Sequence, residues 1–317
     1  MTITDLRLGV LGMSEGNGHP YSWSAIFNGY DEAAMATCPF PAIPAYLKRQ
    51  KLPADGIAGA TVTHVWTQSR DVSEHIAAAA NIPHVVDDRR DMLDQVDAVL
   101  LARDDAESHY EVAGPFLDAG LPIYIDKPVA LTIAGAKRLY DRQKAPGQIF
   151  TCTALAFAPE FQLTRAQMEE LGALRYVEAI TVKDWDRYAI HVLEPLCNLL
   201  KEEGGVASAC PAGGNVRHLD IAWASGLTGR VTALGTQRGP IAIRLYGQND
   251  HREMAFRDAF SAFRNALSHF VEIVRGHRAT QDPGAVLDIV RLVEAGRAER
   301  SIYPLIRCGT DSVERSI

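Results

Sequence analysis

Six alternations of strand-like and helix-like segments in the first half of the chain constrain its fold most. Short runs of apolar and β-branched residues predict strands, and apolar residues at helical spacing predict the helices between them. Strands that are joined through helices pair in parallel, so residues 1–152 predict an α/β domain with a doubly wound parallel sheet. The predicted strands are 6–12, 61–67, 84–86, 96–102, 121–125 and 148–152.

The pattern changes after residue 152. Runs that alternate apolar and polar residues with a period of two follow one another, and glycine-rich turns separate several of them. Residues 153–317 therefore predict an α+β domain with a mostly antiparallel, open sheet. The predicted strands are 175–183, 218–224, 230–236, 241–246 and 252–257, and the predicted helices are 188–200, 260–274 and 286–298.

The charge balance and the cysteine content exclude several classes of protein. The formal net charge is −7 and basic residues do not cluster in runs, which excludes a general nucleic-acid binder. No segment reaches roughly eighteen apolar residues and the amino terminus does not resemble a signal peptide, so we expect no membrane association. The cysteines lack disulfide and C-x-x-C metal spacing, so we expect buried free thiols in a reducing cytoplasm and no metal site. They are Cys38, Cys152, Cys197, Cys210 and Cys308.

A glycine-rich turn follows the first predicted strand. Backbone N–H groups at such a turn, and at the helix after it, form an anion site in dinucleotide-binding folds. The G-x-G-x-x-G pattern is only partly met, because Ser14 replaces the second glycine and the turn is one residue longer. A plain tight turn remains the alternative. The candidate cofactor-binding residues are Gly12, Ser14, Gly16, Asn17, Gly18 and His19.

Ser69 and Arg70 follow the second predicted strand. In dinucleotide-binding folds an acid at this place holds the ribose hydroxyl of NAD, whereas an arginine suits the 2′-phosphate of NADP. We therefore expect both residues to bind the cofactor, which is NADP or NAD, with a preference for NADP. An exposed arginine at the start of a helix is the alternative.

Residues 30–60 are interpreted as an insertion between the first helix and the second strand. Pro39, Pro41 and Pro44 lie within six residues, and this density predicts neither a regular helix nor a central strand there. The insertion is either a surface excursion near the mouth of the cofactor or substrate site, or a spacer that only packs.

A lysine follows the fifth predicted strand directly, in the sequence Ile123-Tyr-Ile-Asp126-Lys127-Pro128. Ligands of open parallel sheets bind outside the carboxyl ends of the strands. Lys127 is poorly explained by packing, because lysine is rarely buried without a partner. Pro128 restricts the backbone of the lysine and so fixes its direction. A solvated loop lysine is the alternative to a site residue.

Three motifs resemble those of the glucose–fructose oxidoreductase, inositol dehydrogenase and MocA-type family. Asp126-Lys127-Pro128 matches the E-K-P of that family, with Asp in place of Glu. His109 matches the histidine of T-P-N-x-x-H, although the residues before it differ from T-P-N. Residues 156–159 resemble R-F-x-P, with Ala156 in place of arginine. The resemblance implies an amino-terminal Rossmann domain and a carboxyl-terminal domain for substrate binding and oligomerisation.

The family also carries D-x-x-x-H on the helix after the first strand of its second domain. His191 fits that histidine, and Glu194 fits the acid that often follows it, but Arg187 stands at the aspartate position. The resemblance implies that Lys127 and His191 share the substrate hydroxyl, and that Asp126 and Lys127 also bind the cofactor. Glu194, Asp186 or Asp184 then orients the imidazole. Histidine suits proton transfer because its pKa lies near working pH, and a lysine ammonium can stabilise developing negative charge.

The resemblance implies an NAD(P)-dependent dehydrogenase or reductase. Its hydride would move between nicotinamide and a secondary alcohol or carbonyl group of a sugar, cyclitol or similar polyhydroxylated molecule. A nucleotide-binding sensor without catalysis and an NAD-dependent glycosidase that uses transient oxidation remain as alternatives. An open sheet with one uncovered face exposes an apolar patch that monomers avoid, so we expect a homodimer or homotetramer formed through the second sheet.

Overall fold

The computed structural model describes residues 5–212 and 216–298, which form two compact units. The first unit comprises the described parts of Met1–Gln162 and Phe256–Arg291, and the second those of Leu163–Ala255 and Leu292–Ile317. The strands of the first unit are β1 (Leu6–Leu11), β2 (Ala60–Trp66), β3 (His84–Val85), β4 (Ala98–Leu101), β5 (Ile123–Ile125) and β6 (Ile149–Thr151). Its helices are α1 (His19–Asn28), α2 (Glu32–Ala36), α3 (Ala42–Leu47), α4 (Arg70–Ala79), α5 (His109–Ala119), α6 (Ile133–Tyr140) and α10 (Ala259–Val274).

The strands of the first unit form one sheet in the order β3-β2-β1-β4-β5-β6. Every neighbouring pair is parallel, which confirms the predicted doubly wound sheet. The strand order reverses between β1 and β4, and such a reversal opens a crevice at the carboxyl ends of the strands. The turn after β1 and the segments after β4 and β5 therefore meet at one edge of the sheet.

The strand β5 is held in the centre of the core of the first unit. Ile123, Tyr124 and Ile125 are all buried, as the continuous apolar run predicts for a strand covered on both faces. Helix α5 packs over this region through Phe116 and Leu117. It ends at Gly120, whose φ of 84° is a left-handed conformation that favours glycine. This packing fixes the point at which Asp126 and Lys127 leave the sheet.

The insertion between α1 and β2 is more regular than the sequence predicts. The expectation of no regular helix is wrong, because α2 and α3 both lie within residues 30–60. Pro44 is compatible with a helix because it is the third residue of α3, where the backbone N–H has no partner inside the helix. Phe40 and Ile43 lie against Gly18, since a Cβ there would come within 2.7 Å of both side chains. The insertion therefore packs on the glycine-rich turn.

The strands of the second unit are β7 (Leu174–Thr181), β8 (Val206–Ala212), β9 (Arg217–Trp223), β10 (Thr228–Ala233), β11 (Ala242–Gly247) and β12 (His251–Ala255). They form a mixed sheet in the order β12-β11-β7-β10-β9-β8. Only β7 and β10 pair in parallel among the described strands, so the prediction of a mostly antiparallel sheet is confirmed. The sequence missed β8, an edge strand that contains Pro211, a residue which edge strands tolerate. The helices are α7 (Arg165–Leu171), α8 (Trp185–Tyr188) and α9 (Ile190–Leu199), and α11 (Pro283–Arg297) crosses the division between the units.

One face of the second sheet carries charged residues where an apolar patch was expected. A row of alternating charge crosses five strands, with Arg230 bonded to Asp220 and Arg244 bonded to both Glu178 and Glu253. Paired charges satisfy one another across neighbouring strands, so this face needs no apolar cover. Its exposed large apolar side chains are Tyr176 and Tyr246.

The units divide the chain differently from the single predicted boundary at residue 152. Helix α10 groups with the first unit, where Asn265 donates a hydrogen bond to the carbonyl oxygen of Phe157. Glu160 accepts the backbone N–H groups of Arg257 and Asp258 just before that helix. The periodicity of a segment shows which of its faces is buried, but not that a later helix packs in the first unit. The functional roles expected of residues 1–152 and 153–317 stay predictions.

Residues 5–212 and 216–298 contain no helix that is long and apolar enough to cross a membrane. The same residues contain no group of three or more His, Cys, Asp or Glu side chains that could hold a metal ion. Among the cysteines, Cys38 and Cys152 are buried, whereas Cys197 and Cys210 are partly exposed, and none of these four forms a disulfide. Cys308 lies outside the described residues.

Candidate functional site

The turn after β1 brings polar side chains to the edge of the first sheet. Gly12 allows α1 to pack closely, since a Cβ there would lie 2.4 Å from the ring of Pro20. Gly16 has a φ of 78°, a left-handed conformation that favours glycine, and the space beside it is open. Ser14 and Asn17 are buried although both are polar. Their hydrogen bonds lead to the two acids that follow β4 and β5.

Asp126, directly after β5, joins the glycine-rich turn to the lysine. It is 1% exposed, and its Oδ1 accepts the backbone N–H of Lys127 at 2.8 Å. Its Oδ2 accepts the Asn17 side-chain amide at 2.9 Å and lies 2.5 Å from Nδ1 of His19. Asn17 Oδ1 in turn accepts the backbone N–H of His19 at 2.8 Å. One buried carboxylate therefore holds the Asn17 amide, the His19 ring and the Lys127 backbone at the sheet edge.

Asp104, after β4, is the acid that faces the lysine amino group. Lys127 is 4% exposed, and its Nζ lies 3.6 Å from Asp104 Oδ2. The Ser14 hydroxyl donates to Asp104 Oδ1 at 2.5 Å, and the backbone N–H of Asp104 donates back to the same hydroxyl at 3.1 Å. Buried charges are stable when they are paired in this manner. The alternative of a solvated loop lysine is therefore wrong for Lys127.

The electrostatic surroundings hold Asp126 in its charged form. Burial by itself raises the pKa of this carboxyl group, because it disfavours the anion. The charge and hydrogen bond of His19 act in the opposite direction, together with the Lys127 charge and the Asn17 amide, and the pKa falls to about 2. Asp126 is consequently a carboxylate throughout the physiological pH range.

His19 lies between this carboxylate and a group of aromatic rings. Its imidazole stacks on Trp23 with a centroid distance of 5.1 Å, and Phe263 contacts it edge-on at 4.9 Å. Trp23 stacks in turn on Tyr124 at 4.8 Å. The side chain of His19 is 18% exposed, so the ring is held firmly but not closed off from solvent.

The arginine that follows β2 is more exposed than the residues that follow β5. Arg70 begins α4 and is half exposed, and its guanidinium bonds Glu74 at 2.8 Å and Asp87 at 2.5 Å. Ser69 precedes the helix in an extended conformation, and its backbone N–H donates to the Thr67 hydroxyl at 3.2 Å. The two residues lie where the sequence predicted, but the arginine already has acidic partners.

Gln68 was not singled out from the sequence. Its side-chain carbonyl accepts the backbone N–H of Met13 at 2.9 Å, and its amide donates to the Met13 carbonyl at 3.0 Å. This pair of bonds ties the segment after β2 to the glycine-rich turn. The only signal in the sequence was the position of Gln68 after a strand that neighbours β1.

His109 is fully buried at the start of α5 and does not face the crevice. Its Nε2 lies 2.8 Å from the carbonyl oxygen of Arg103, and its Nδ1 lies 3.0 Å from that of Val129. Arg103 bonds both oxygens of Asp105, at 2.9 and 2.6 Å. This histidine therefore fixes the loops after β4 and β5, which carry Asp104 and Lys127.

The remaining predicted site residues belong to the second unit. His191 lies on α9 and contacts the ring of Tyr188 edge-on at 5.1 Å. Asp186 lies on α8 and bonds Arg297 at 3.1 Å, and Asp184 caps the same helix by accepting the backbone N–H of Arg187. Glu194 is buried on α9. The catalytic roles of His191, Asp186 and Glu194 stay predictions.

The first unit thus assembles one site at its sheet edge. It unites the predicted residues Ser14, Asn17, His19, Asp126 and Lys127. Asp104 belongs to the same site and was not predicted. Its position at the carboxyl end of the strand beside β5 was the signal, since the ends of neighbouring parallel strands meet.

Residues 42–153 match the sequence model of an oxidoreductase family with an NAD-binding Rossmann fold. This stretch contains Asp104, Asp126 and Lys127, the acids and the lysine of the site. Over these residues the chain is similar to the Gfo/Idh/MocA oxidoreductase family. The resemblance drawn from its motifs is therefore confirmed.

One curated protein that is similar to part of the chain is the oxidoreductase YceM of Salmonella typhimurium, which is 37% identical over 82 residues. The match covers 26% of this chain and 26% of that protein, so the chain matches about a quarter of the length of the curated relative.

Several solved structures share the fold over nearly the whole chain. The myo-inositol dehydrogenase of Lactobacillus casei, in complex with NAD(H) and myo-inositol, superposes with a TM-score of 0.72 at 14% identity and covers 97% of this chain and 99% of its own. The scyllo-inositol dehydrogenase of the same organism gives a TM-score of 0.71 at 11% identity, over 93% and 96%. GenD2 from gentamicin A biosynthesis, in complex with NAD, gives 0.66 at 14% identity, over 96% and 97%. At these identities the likeness concerns the fold.

Proposed function

We propose that this protein is an NAD(P)-dependent dehydrogenase or reductase of polyhydroxylated small molecules. The hydride would move between nicotinamide and a secondary alcohol or carbonyl group of a sugar or cyclitol. The observation that supports this most is Lys127, a buried ammonium group paired with Asp104 at the carboxyl end of β5. Two of the superposed proteins bind NAD or NAD(H), and one of these also binds myo-inositol.

The residues at the sheet edge fit a dinucleotide. Open space beside Gly16 lets a phosphate approach the backbone, and the adjacent amino terminus of α1 favours negative charge. The Asn17 amide, the His19 ring and the Lys127 ammonium supply donors for hydroxyl and phosphate oxygens. When bound, the cofactor supplies the acceptor or donor of the hydride. Met13 cannot contribute its backbone groups, because Gln68 already bonds both of them.

Lys127 would donate a hydrogen bond to the reacting oxygen of the substrate and stabilise negative charge that develops on it. Asp104 keeps the ammonium in place, and Asp126 fixes the backbone from which the lysine side chain extends. The resemblance assigns proton transfer to His191, with Glu194, Asp186 or Asp184 as its partner. Asp186 already pairs with Arg297, so we favour Glu194 or Asp184 as the acid that orients the His191 imidazole.

The choice between NADP and NAD depends on Arg70. Its position supports NADP, because its guanidinium could turn from Asp87 to a 2′-phosphate. Asp87 and Glu74 lie beside it and would repel the phosphate, so we propose that the protein accepts both cofactors and prefers NADP only modestly.

A fluorescence titration with NADH and NADPH, followed by a panel of inositols, aldoses and their keto forms, tests the function. We expect binding of both cofactors and a change in absorbance at the nicotinamide band with at least one compound. Binding without turnover would instead support a sensor, and glycoside cleavage without net change in cofactor would support an oxidation-dependent glycosidase.

Self-association through the second sheet is part of the proposal. Tyr176 and Tyr246 are exposed on the face that carries the charged row, and exposed aromatic residues are common at interfaces. We expect a homodimer or homotetramer, which sedimentation of the purified chain would measure. A cytoplasmic location likewise stays a prediction.

A further inference from the structure

The site in the first unit contains a histidine and carboxylate pair that the family motifs do not include. His19 Nδ1 lies 2.5 Å from Asp126 Oδ2, and Asp126 is almost completely buried. A carboxylate on one ring nitrogen fixes the tautomer and orientation of an imidazole, and leaves the other nitrogen to exchange a proton. Within residues 5–212 and 216–298 the structure records no hydrogen bond to His19 Nε2.

The surroundings hold this ring in one orientation. Trp23 covers one face of the imidazole and Phe263 contacts its edge, while Asp126 holds Nδ1. A proton-transferring group works best when its position is fixed before the reaction. The 18% exposure of the side chain leaves room for a small molecule to reach the ring.

The charged groups of the site form the electrostatic surroundings of His19. Asp104 and Asp126 are two buried carboxylates, and the ammonium of Lys127 lies 3.6 Å from Asp104 Oδ2 while its charge helps to lower the pKa of Asp126. An imidazolium at His19 completes a balanced group of two negative and two positive charges. The lysine, paired with Asp104, is placed to polarise an oxygen and not to remove its proton.

We propose that His19 is a second acid–base residue of this protein, oriented by Asp126 and acting beside Lys127. The inference rests on the proposed function. In oxidation the substrate O–H bond breaks, its proton passes to Nε2 of His19, and the electron pair of that bond stays on oxygen. An electron pair of the oxygen then forms the carbonyl double bond as the C–H bond breaks, and bound NAD(P)⁺ would supply the acceptor for the hydride. In reduction the imidazolium returns the proton to the carbonyl oxygen, and Asp126 remains a carboxylate throughout.

His19→Asn tests the proposal, because the asparagine amide can still donate to Asp126 but cannot carry the proton. With a substrate from the polyol panel, we expect kcat to fall by about 100-fold or more. The limb of the kcat pH profile that histidine titration produces, roughly between pH 5 and 8, should disappear. His19→Ala should recover at least about tenfold in activity with added imidazole. The matched control is His84→Asn, because His84 is an exposed histidine on the edge strand β3. This variant should behave as wild type.

If His19→Asn keeps the wild-type turnover and the same limb of the kcat pH profile, the proposal is overturned. A loss of kcat with an unchanged limb and no imidazole rescue would also overturn it, since His19 would then only position Asp126.

A measurement without substrate separates this proposal from the proposed function. The imidazole ¹⁵N resonances of His19, assigned by their absence in His19→Asn, should shift when NADH saturates the protein. They should lose the carboxylate-bonded Nδ1 proton in Asp126→Asn. If NADH binds but no compound in the panel turns over, the proposed function fails. His19 resonances that do not respond to NADH overturn the role of His19 whether or not a substrate is found.

Discussion

Two basic side chains at the same edge of the parallel sheet have opposite environments. Lys127 follows β5 and is 4% exposed, with its amino group 3.6 Å from a buried acid. Arg70 follows β2, its side chain is 49% exposed, and its partners Glu74 and Asp87 are more exposed still. A buried pair is costly to break, whereas an exposed pair contributes little to stability. This difference in burial supports the proposals that Lys127 belongs to a fixed reaction centre and that Arg70 is an adjustable contact.

The largest expected effect is on turnover. Lys127→Ala should lower kcat by about 100- to 1,000-fold, because a positioned donor to the reacting oxygen is lost. NADH binding, followed by fluorescence, should weaken much less than kcat falls, because the glycine-rich turn and the amino terminus of α1 still bind the phosphates. Normal turnover of Lys127→Ala, or an equal loss of kcat in Arg70→Ala, would show that the two basic residues do not differ in their part in the reaction.

The second effect is on stability. Asp104→Ala removes the carboxylate that faces the buried ammonium and the acceptor of the Ser14 hydroxyl. We expect the free energy of unfolding in urea to fall by about 3 kcal/mol. Asp87→Ala, which removes an exposed partner of Arg70, is the matched control and should change it by less than about 1 kcal/mol. Equal losses in the two variants would show that burial does not set the difference.

The third effect is a dependence of stability on pH. The pKa of Asp126 is about 2 in the folded chain, below the usual value of 3.8. A depressed pKa contributes stability that is complete above the unfolded value and is lost as the pH falls through the folded value. Between pH 5 and pH 2 the wild type should therefore lose about 2 kcal/mol more than Asp126→Asn. Parallel stability curves for the two proteins over this range would contradict the role of Asp126.

The smallest effect is on cofactor preference. Arg70→Ala should weaken NADPH binding by about tenfold, which is about 1.4 kcal/mol, and leave NADH binding within about twofold. The reason is that Arg70 would contact only the 2′-phosphate. A fluorescence titration with both cofactors measures the ratio. An equal change for NADH and NADPH would remove the basis for an NADP preference.

The regular parts of the fold were predictable because their signals are local. Alternating strands and helices predicted the parallel sheet, and the buried run before Lys127 placed that residue at a crevice. Helix α3 was not predicted, because the effect of Pro44 depends on its position in the first turn and not on its presence. Strand β8 was missed because Pro211 argues against a strand unless that strand lies at an edge.

The sequence by itself determined the fold class, the place of Lys127 and the polar character of the turn before α1. Only the tertiary structure decided which side chains act together. Ser14 meets Asp104 across 90 residues, and Asn17 meets Asp126 across 109. Periodicity records which face of a segment is buried, but it does not record which loop ends meet. The partners of the lysine, and the histidine beside them, emerge from the order in which the strands pair.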